Sequence, residues 1–216
     1  MTNPNIIRLT GFIMPVGNGA VGKTSVSRIL EYTSRGKKPN EEILLGIQKT
    51  KNLEFEYATT NQVFGNREFS ITLQFLVPPG QKEEDGDPSG RSFQQVIEIF
   101  KETIRRLDVV IFTYDLSNRQ SFQDLEYWAD AVKELLNDAS HMLLLGTHLD
   151  RNERIELTEE EITAGLAHLQ KKVSDFRPGW KGKSAHLEVS NLTGENLELL
   201  LRYISGSIIS SRRMMR

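Results

Sequence analysis

Cysteine is absent from all 216 residues, which removes disulfides, thiolate metal sites, cysteine nucleophiles, palmitoylation and a prenylated terminus. A reducing cytoplasm is the simplest home for such a chain. No apolar run reaches the roughly 18 to 20 residues needed to span a bilayer, and MTNPNIIRLT lacks the uninterrupted apolar core of a signal peptide. Its start also lacks the glycine that myristoylation needs, so no lipid anchor is expected. Charge of neither sign is in excess: 27 Lys and Arg stand against 29 Asp and Glu. A global field pointing to nucleic acid is therefore missing. Internal repeats and low-complexity tracts are missing too. The length suits one packed domain, residues 1–216, with the basic end SSRRMMR (210–216) expected as a frayed, solvated tail.

What is present alternates. Short β-like runs are separated by helical stretches, the pattern of an α/β fold with helices on both faces of a mostly parallel sheet. Strands are expected at 6–16, 108–115, 142–150 and 184–189, and a hairpin from 52–60 and 67–77 turning near Gly65-Asn66. Helices are expected at 24–33, 93–106, 119–138, 158–176 and 194–209, the fourth opening with a Thr–Glu capping pattern. Two polar stretches, about 35–51 and 78–92, show no period and contain Pro and Gly breakers. They read as long loops, which in compact domains are often functional.

Between the first strand and first helix lies GNGAVGKT, residues 17–24, with the G-x-x-x-x-G-K-[ST] spacing of a phosphate-cradling loop. A chance match is expected in only on the order of 1 % of chains this long. Gly17, Asn18, Gly19, Ala20, Val21, Gly22, Lys23, Thr24 and Ser25 are the candidate phosphate-binding residues. Backbone amides from Gly19 to Lys23 would hold the anion at a helix N-terminus, Lys23 would bridge the β- and γ-phosphates, and Thr24 would ligate Mg²⁺.

In open α/β sheets ligands sit beyond the carboxyl ends of strands, which directs attention to GTHLD, residues 146–150. A carboxylate there accepts two N–H bonds from a guanine edge, where adenine would present an acceptor. Asp150 is therefore a guanine-selecting candidate, or else an Asp capping the following turn. SNL (Ser190, Asn191, Leu192) ends the last strand and offers backbone N–H groups to a base, or is a simple turn.

With these residues in hand the chain resembles the Ras-like superfamily of small GTPases across nearly its whole length. The resemblance runs through GNGAVGKT, LDVVIFTYDLSNRQSF, THLD and EVSNLTGENLELL. It implies a three-layer P-loop G domain whose mostly parallel six-stranded sheet carries one antiparallel edge strand. It also implies GTP and GDP as ligands with Mg²⁺, slow GTP hydrolysis, and signalling to effector and regulator proteins through switch loops at 35–51 and 78–92. Asp150 matches the base-reading Asp of the family, while Thr147 and His148 replace its Asn and Lys. This THxD form resembles Roc GTPase domains. The His148 imidazole can stack on a purine, but the family's tether from this motif to the phosphate loop does not carry over by residue type.

A second departure is LVPPGQ (76–81), where the family has Asp-x-x-Gly-Gln. Gly80 and Gln81 align, the amide of one sensing the γ-phosphate and the amide side chain of the other orienting the attacking water. Val77 stands in place of the acid that orders Mg²⁺ through a water. The segment is similar to that of the MglA polarity GTPases, which points to a roadblock-fold regulator as one candidate activator. The switch threonine that would complete the metal site is Thr50, or, in an alternative register, Leu44 with no hydroxyl. Lys49 is a candidate cation in cis, or an exposed loop lysine. Two rivals stay open: a pseudo-GTPase module that binds nucleotide without turnover, and a P-loop kinase of small molecules, disfavoured by Asp150 and by the lack of an arginine-rich lid.

Overall fold

The computed structural model describes residues 6–82, 90–102, 104, 106–151 and 157–214. Residues 83–89 of the second long loop, and the last two residues of the chain, lie outside them. Six strands, β1 (Ile7–Val16), β2 (Glu54–Phe64), β3 (Arg67–Val77), β4 (Val109–Asp115), β5 (His141–Thr147) and β6 (Ser184–Glu188), form one sheet in the order β2-β3-β1-β4-β5-β6. Every pairing is parallel except β2 with β3, the hairpin at one edge. This is the α/β architecture of a P-loop G domain.

Strands β4 and β5 are buried at every residue and mostly apolar because both faces are covered. Along β4 and β5 side chains alternate between two cores. Val110, Phe112, Met142 and Leu144 point to one, Val109, Ile111, Leu143 and Leu145 to the other. The first core is closed by α3 (Phe93–Phe100), α5 (Leu125–Val132) and α6 (Glu159–Phe176), the second by α1 (Lys23–Ser34) and α7 (Leu197–Met214). The Thr158 hydroxyl accepts from the Glu161 amide at 3.1 Å while the Glu161 carboxylate accepts from the Thr158 amide at 2.9 Å, the reciprocal cap that the sequence spacing requires.

Several expected boundaries move. The first long loop holds a short helix, α2 (Glu41–Leu45), started by Asn40, whose side chain accepts from the Ile43 amide at 3.0 Å. One and a half turns are too short to display a helical period. The 119–138 helix divides at Asp124 into α4 (Arg119–Gln123) and α5, followed by a 3₁₀ turn at 133–135. The helix after the second loop ends at Phe100, not Arg106.

The expectation of a frayed basic tail is corrected for residues 210–214, which are the last turn and a half of α7. Ser211 and Arg212 dock on Asp108, a carboxylate with no solvent exposure. Asp108 accepts from the Phe12 amide at 2.9 Å, from Arg106 at 2.7 Å and from the Ser211 hydroxyl at 2.7 Å, with Arg212 at 3.4 Å. Arg212 also donates to the Thr10 carbonyl. Terminal charges that would fray in isolation are held because a buried anion needs them. Asp108→Ala removes the acceptor shared by two guanidinium groups, the buried Ser211 hydroxyl and the Phe12 amide. Denaturant unfolding is expected to show a loss of about 3 kcal/mol; a loss below about 1 kcal/mol would mean that the cluster does not anchor α7.

Candidate phosphate and base site

The carboxyl end of β1 runs into the 17–24 loop and then into α1. Gly17 has φ +147, and a Cβ there would lie 2.2 Å from the Thr113 carbonyl oxygen, so the loop starts against β4 with no room for a side chain. Helix α1 starts at Gly22 with no side-chain cap and no acidic residue in its first turn, unlike α3 and α6, which carry reciprocal side-chain caps. Its first amides are left for an external acceptor. The Lys23 ammonium folds back over the loop, donating to the carbonyls of Gly17 at 2.8 Å and Asn18 at 2.7 Å. Burial lowers its pKa to about 7, and no carboxylate pairs with it among the described residues.

A cavity of about 750 Å³ opens over this loop, of ordinary size for a small-molecule site. Gly19, Ala20, Gly22, Lys23, Thr24 and Ser25 line one wall. The opposite wall comes from the first long loop, including Leu44, Lys49 and Thr50, and from Gly80 and Gln81. Thr24 and Thr50, 26 residues apart, share a hydroxyl–hydroxyl hydrogen bond of 2.7 Å. Leu44, the alternative in the other register, lines the cavity on α2 and brings no hydroxyl. Two oxygens at about 2.1 Å from an octahedral ion are about 3 Å apart, so the pair fits a Mg²⁺ that keeps its other positions for water and phosphate oxygen. No cluster of three or more His, Asp or Glu suited to a metal occurs among the described residues.

Gly80 packs so tightly that a Cβ would approach the Lys23 ammonium at 2.4 Å and the Asn18 carbonyl at 2.6 Å. Gln81 is buried, its backbone carbonyl accepting from the Phe93 amide at 3.0 Å at the start of α3. Its side-chain Oε1 is shielded from solvent and has no hydrogen-bond partner among the described residues. A buried, unpaired carbonyl facing a cavity is suited to receive a proton donor such as water.

The base-side residues gather on the neighbouring loop ends and do not, apart from His148, line the cavity. The Ser190 hydroxyl donates to Asp150 Oδ1 at 2.5 Å and accepts from the amides of Leu192 and Thr193 at 3.2 and 2.9 Å. The exposed Asp150 carboxylate is thus aimed by a buried serine. Thr147 supplies the tether that residue type alone did not promise: its hydroxyl lies 2.7 Å from the Val21 carbonyl and 3.0 Å from that of Tyr114. His148 adopts φ +62, ending β5. Burial lowers its pKa, opposed by Asp115 at 3.8 Å, and its Nε2 has no hydrogen-bond partner. Asn191 packs beside Gly22 with a buried, unpaired Oδ1.

Asn18 departs from expectation in one respect. Its side chain turns away from the cavity, donating to Asp124 Oδ2 at 2.6 Å and accepting from the Trp128 indole at 2.7 Å, which leaves only its backbone for a ligand. Lys82, next to Gln81, reaches the same Asp124 carboxylate at 3.0 Å and lies over the Tyr127 ring. Burial acts to raise the Asp124 pKa, but donors Asn18, Gln120 and Lys82 together hold it below the usual carboxylate value. Sequence spacing missed this junction of phosphate loop, α5 and second loop. The available signal was a tryptophan indole that, once buried, needs an acceptor.

No described helix is long and apolar enough to cross a membrane. A family model described as "Ras family" matches residues 91–208. The human "EF-hand calcium-binding domain-containing protein 4B" is 30 % identical over 154 residues, covering 71 % of this chain. The human "Ras-related protein Rab-44" is 24 % identical over 145 residues, 67 % of this chain. The chain spans only 17 % and 12 % of the length of these two relatives. The family match begins after Gln81, so it covers the base side and the later elements of both cores, while the phosphate side stands on its own geometry. With more than half of its residues matched on this six-stranded fold, the chain belongs to the Ras family of small GTPases.

Proposed function

We propose that the chain is a single G domain acting as a guanine-nucleotide switch, binding GTP and GDP with Mg²⁺ and hydrolysing GTP slowly. The observation that carries this is one cavity in which an uncapped helix start, a buried ammonium, a threonine hydroxyl pair and a solvent-shielded glutamine converge. In this reading the amides of residues 19–23 and Lys23 hold the phosphates, Thr24 and Thr50 hold Mg²⁺, and Asp150 with the 190–192 segment reads the base. Bound Mg²⁺ supplies charge neutralisation at the β- and γ-phosphate oxygens. Gln81 Oε1 accepts a hydrogen bond from the attacking water and orients it, and the Gly80 amide senses the γ-phosphate.

The loops at 35–51 and 78–92 are ordered by the γ-phosphate and loosen on its loss, presenting a changed surface to effector and regulator proteins. Without a supplied cation the intrinsic rate is low, so an activating partner is expected, a roadblock-fold protein being one candidate. The setting in this reading is cytoplasmic, with protein partners and no nucleic acid. Val77 in place of the family's acid favours a second reading, a module that binds nucleotide without turnover. Single-turnover release of phosphate separates the two: Gln81→Leu should slow it by at least about tenfold, whereas no release from the unaltered protein with a candidate activator present would select the non-hydrolysing reading.

Base choice is tested by competition. ATP should fail to displace GDP, and Asp150→Ala should weaken GDP by about tenfold or more and narrow the gap to ATP; equal competition in the unaltered protein would overturn guanine recognition.

Lys23 gives a pH signature. In the empty site it is largely neutral above pH 7, while phosphate oxygens favour its charged form, so binding takes up a proton. Affinity should then fall as pH rises above 7, by up to about tenfold per unit. Calorimetry at pH 8 in buffers of different ionisation heat should register close to one proton taken up per nucleotide; heats independent of buffer would show that Lys23 is already charged.

A further inference from the structure

Val77 ends β3 fully buried in the core that also holds Val26, Ile29 and Leu30 of α1 and offers no acceptor to a metal-bound water. The antiparallel register places Glu54, the first residue of β2, directly opposite it. Directly opposed residues share a face of the sheet, with Cβ atoms about 5 Å apart. A carboxylate borne on two methylenes therefore starts from the strand position facing the missing one.

Two contacts place Glu54 beside the Thr24–Thr50 end of the cavity, whose lining it does not itself join, and one of its oxygens is unsatisfied. The Thr50 hydroxyl, which bonds Thr24 Oγ1 at 2.7 Å, also interacts with the Glu54 carboxyl group. Arg28, one helical turn beyond Thr24 on α1, approaches Glu54 Oε2 at 3.6 Å, outside hydrogen-bond range, because its Nε is committed to Glu56 at 2.8 Å. Glu54 Oε2 is shielded from solvent and accepts no hydrogen bond from the described residues. A shielded carboxylate oxygen with an unused lone pair is costly unless a donor reaches it.

We infer that Glu54 supplies, from across the strand pair, the carboxylate that β3 lacks, accepting a hydrogen bond from a water of a Mg²⁺ held by Thr24 and Thr50. This rests on the guanine-nucleotide reading and deepens it. It also changes what the ion ties together. With the acid at position 77 the metal shell would be joined to the loop that follows β3; through Glu54 it is joined to β2 and the 35–51 loop that precedes it. Metal loss then loosens the first loop, not the second.

The test is metal affinity, not turnover. Protein loaded with GDP is titrated with Mn²⁺, free ion being read by its paramagnetic resonance signal, and GDP dissociation is followed as a function of Mg²⁺. Glu54→Gln should raise the half-saturating concentration of both ions by about tenfold or more. Val77→Asp in the Glu54→Gln background should restore most of it. Arg28→Met, which removes the ion-pair partner alone, should leave it within about twofold. Unchanged Mn²⁺ affinity in Glu54→Gln, or equal weakening in Arg28→Met, overturns the role of Glu54 while leaving the nucleotide reading intact. Failure of the unaltered protein to bind GDP at all overturns both.

Discussion

A lysine side chain whose burial works against its charge organises one end of this molecule. Lys23 is enclosed, touches two neutral carbonyls, and has no carboxylate beside it. Around it the first amides of α1 are uncapped and the Gln81 carbonyl is unpaired. Each of these is unfavourable in an empty fold, and all are relieved by the same kind of ligand, a multiply charged oxyanion with its cation and water. Native proteins satisfy buried polar groups almost everywhere, so a concentration of unsatisfied ones in a single cavity is a functional signal in its own right.

The rest of the fold holds that end rigid. Strict alternation of β4 and β5 side chains between two cores fixes the strand ends to which the loops attach, and Asp108 ties α7 to the opposite edge of β1 and β4. Gly17 against Thr113 and Gly80 against Lys23 set the phosphate loop and the second loop at contact distance from their neighbours. The Asn18–Asp124–Lys82 junction adds a polar link between those same segments. Small shifts in one are therefore felt by the others.

Two departures from the family pattern are met in different ways. At position 147 a threonine replaces asparagine, yet its hydroxyl reaches the Val21 carbonyl and keeps the base loop tied to the phosphate loop. A single short donor suffices because the backbone distance is already small. At position 77 no such local repair is open to valine, and the carboxylate directly opposite it is on the partner strand. Substitutions that look equally disruptive in sequence thus differ in consequence, according to what the neighbouring strand brings within reach.

Local spacing was enough to place the phosphate loop between β1 and α1, to read the hairpin and the reciprocal cap of α6, and to separate buried strands from polar loops. Each of these depends on backbone requirements or periodicities that act over a few residues. The candidate base-side residues could be placed at strand ends for the same reason. Tertiary structure alone decided the rest. It put the Thr50 hydroxyl, not Leu44, against Thr24; turned the Asn18 side chain toward Asp124 and Trp128; continued α7 through residues taken for a tail; and set Glu54 opposite Val77. Those outcomes join residues 26 to 110 positions apart or depend on strand register, and a one-residue slip in register would reverse which side chains face α1. No local pattern encodes that, because the energy that selects it comes from packing the sheet between its two layers of helices.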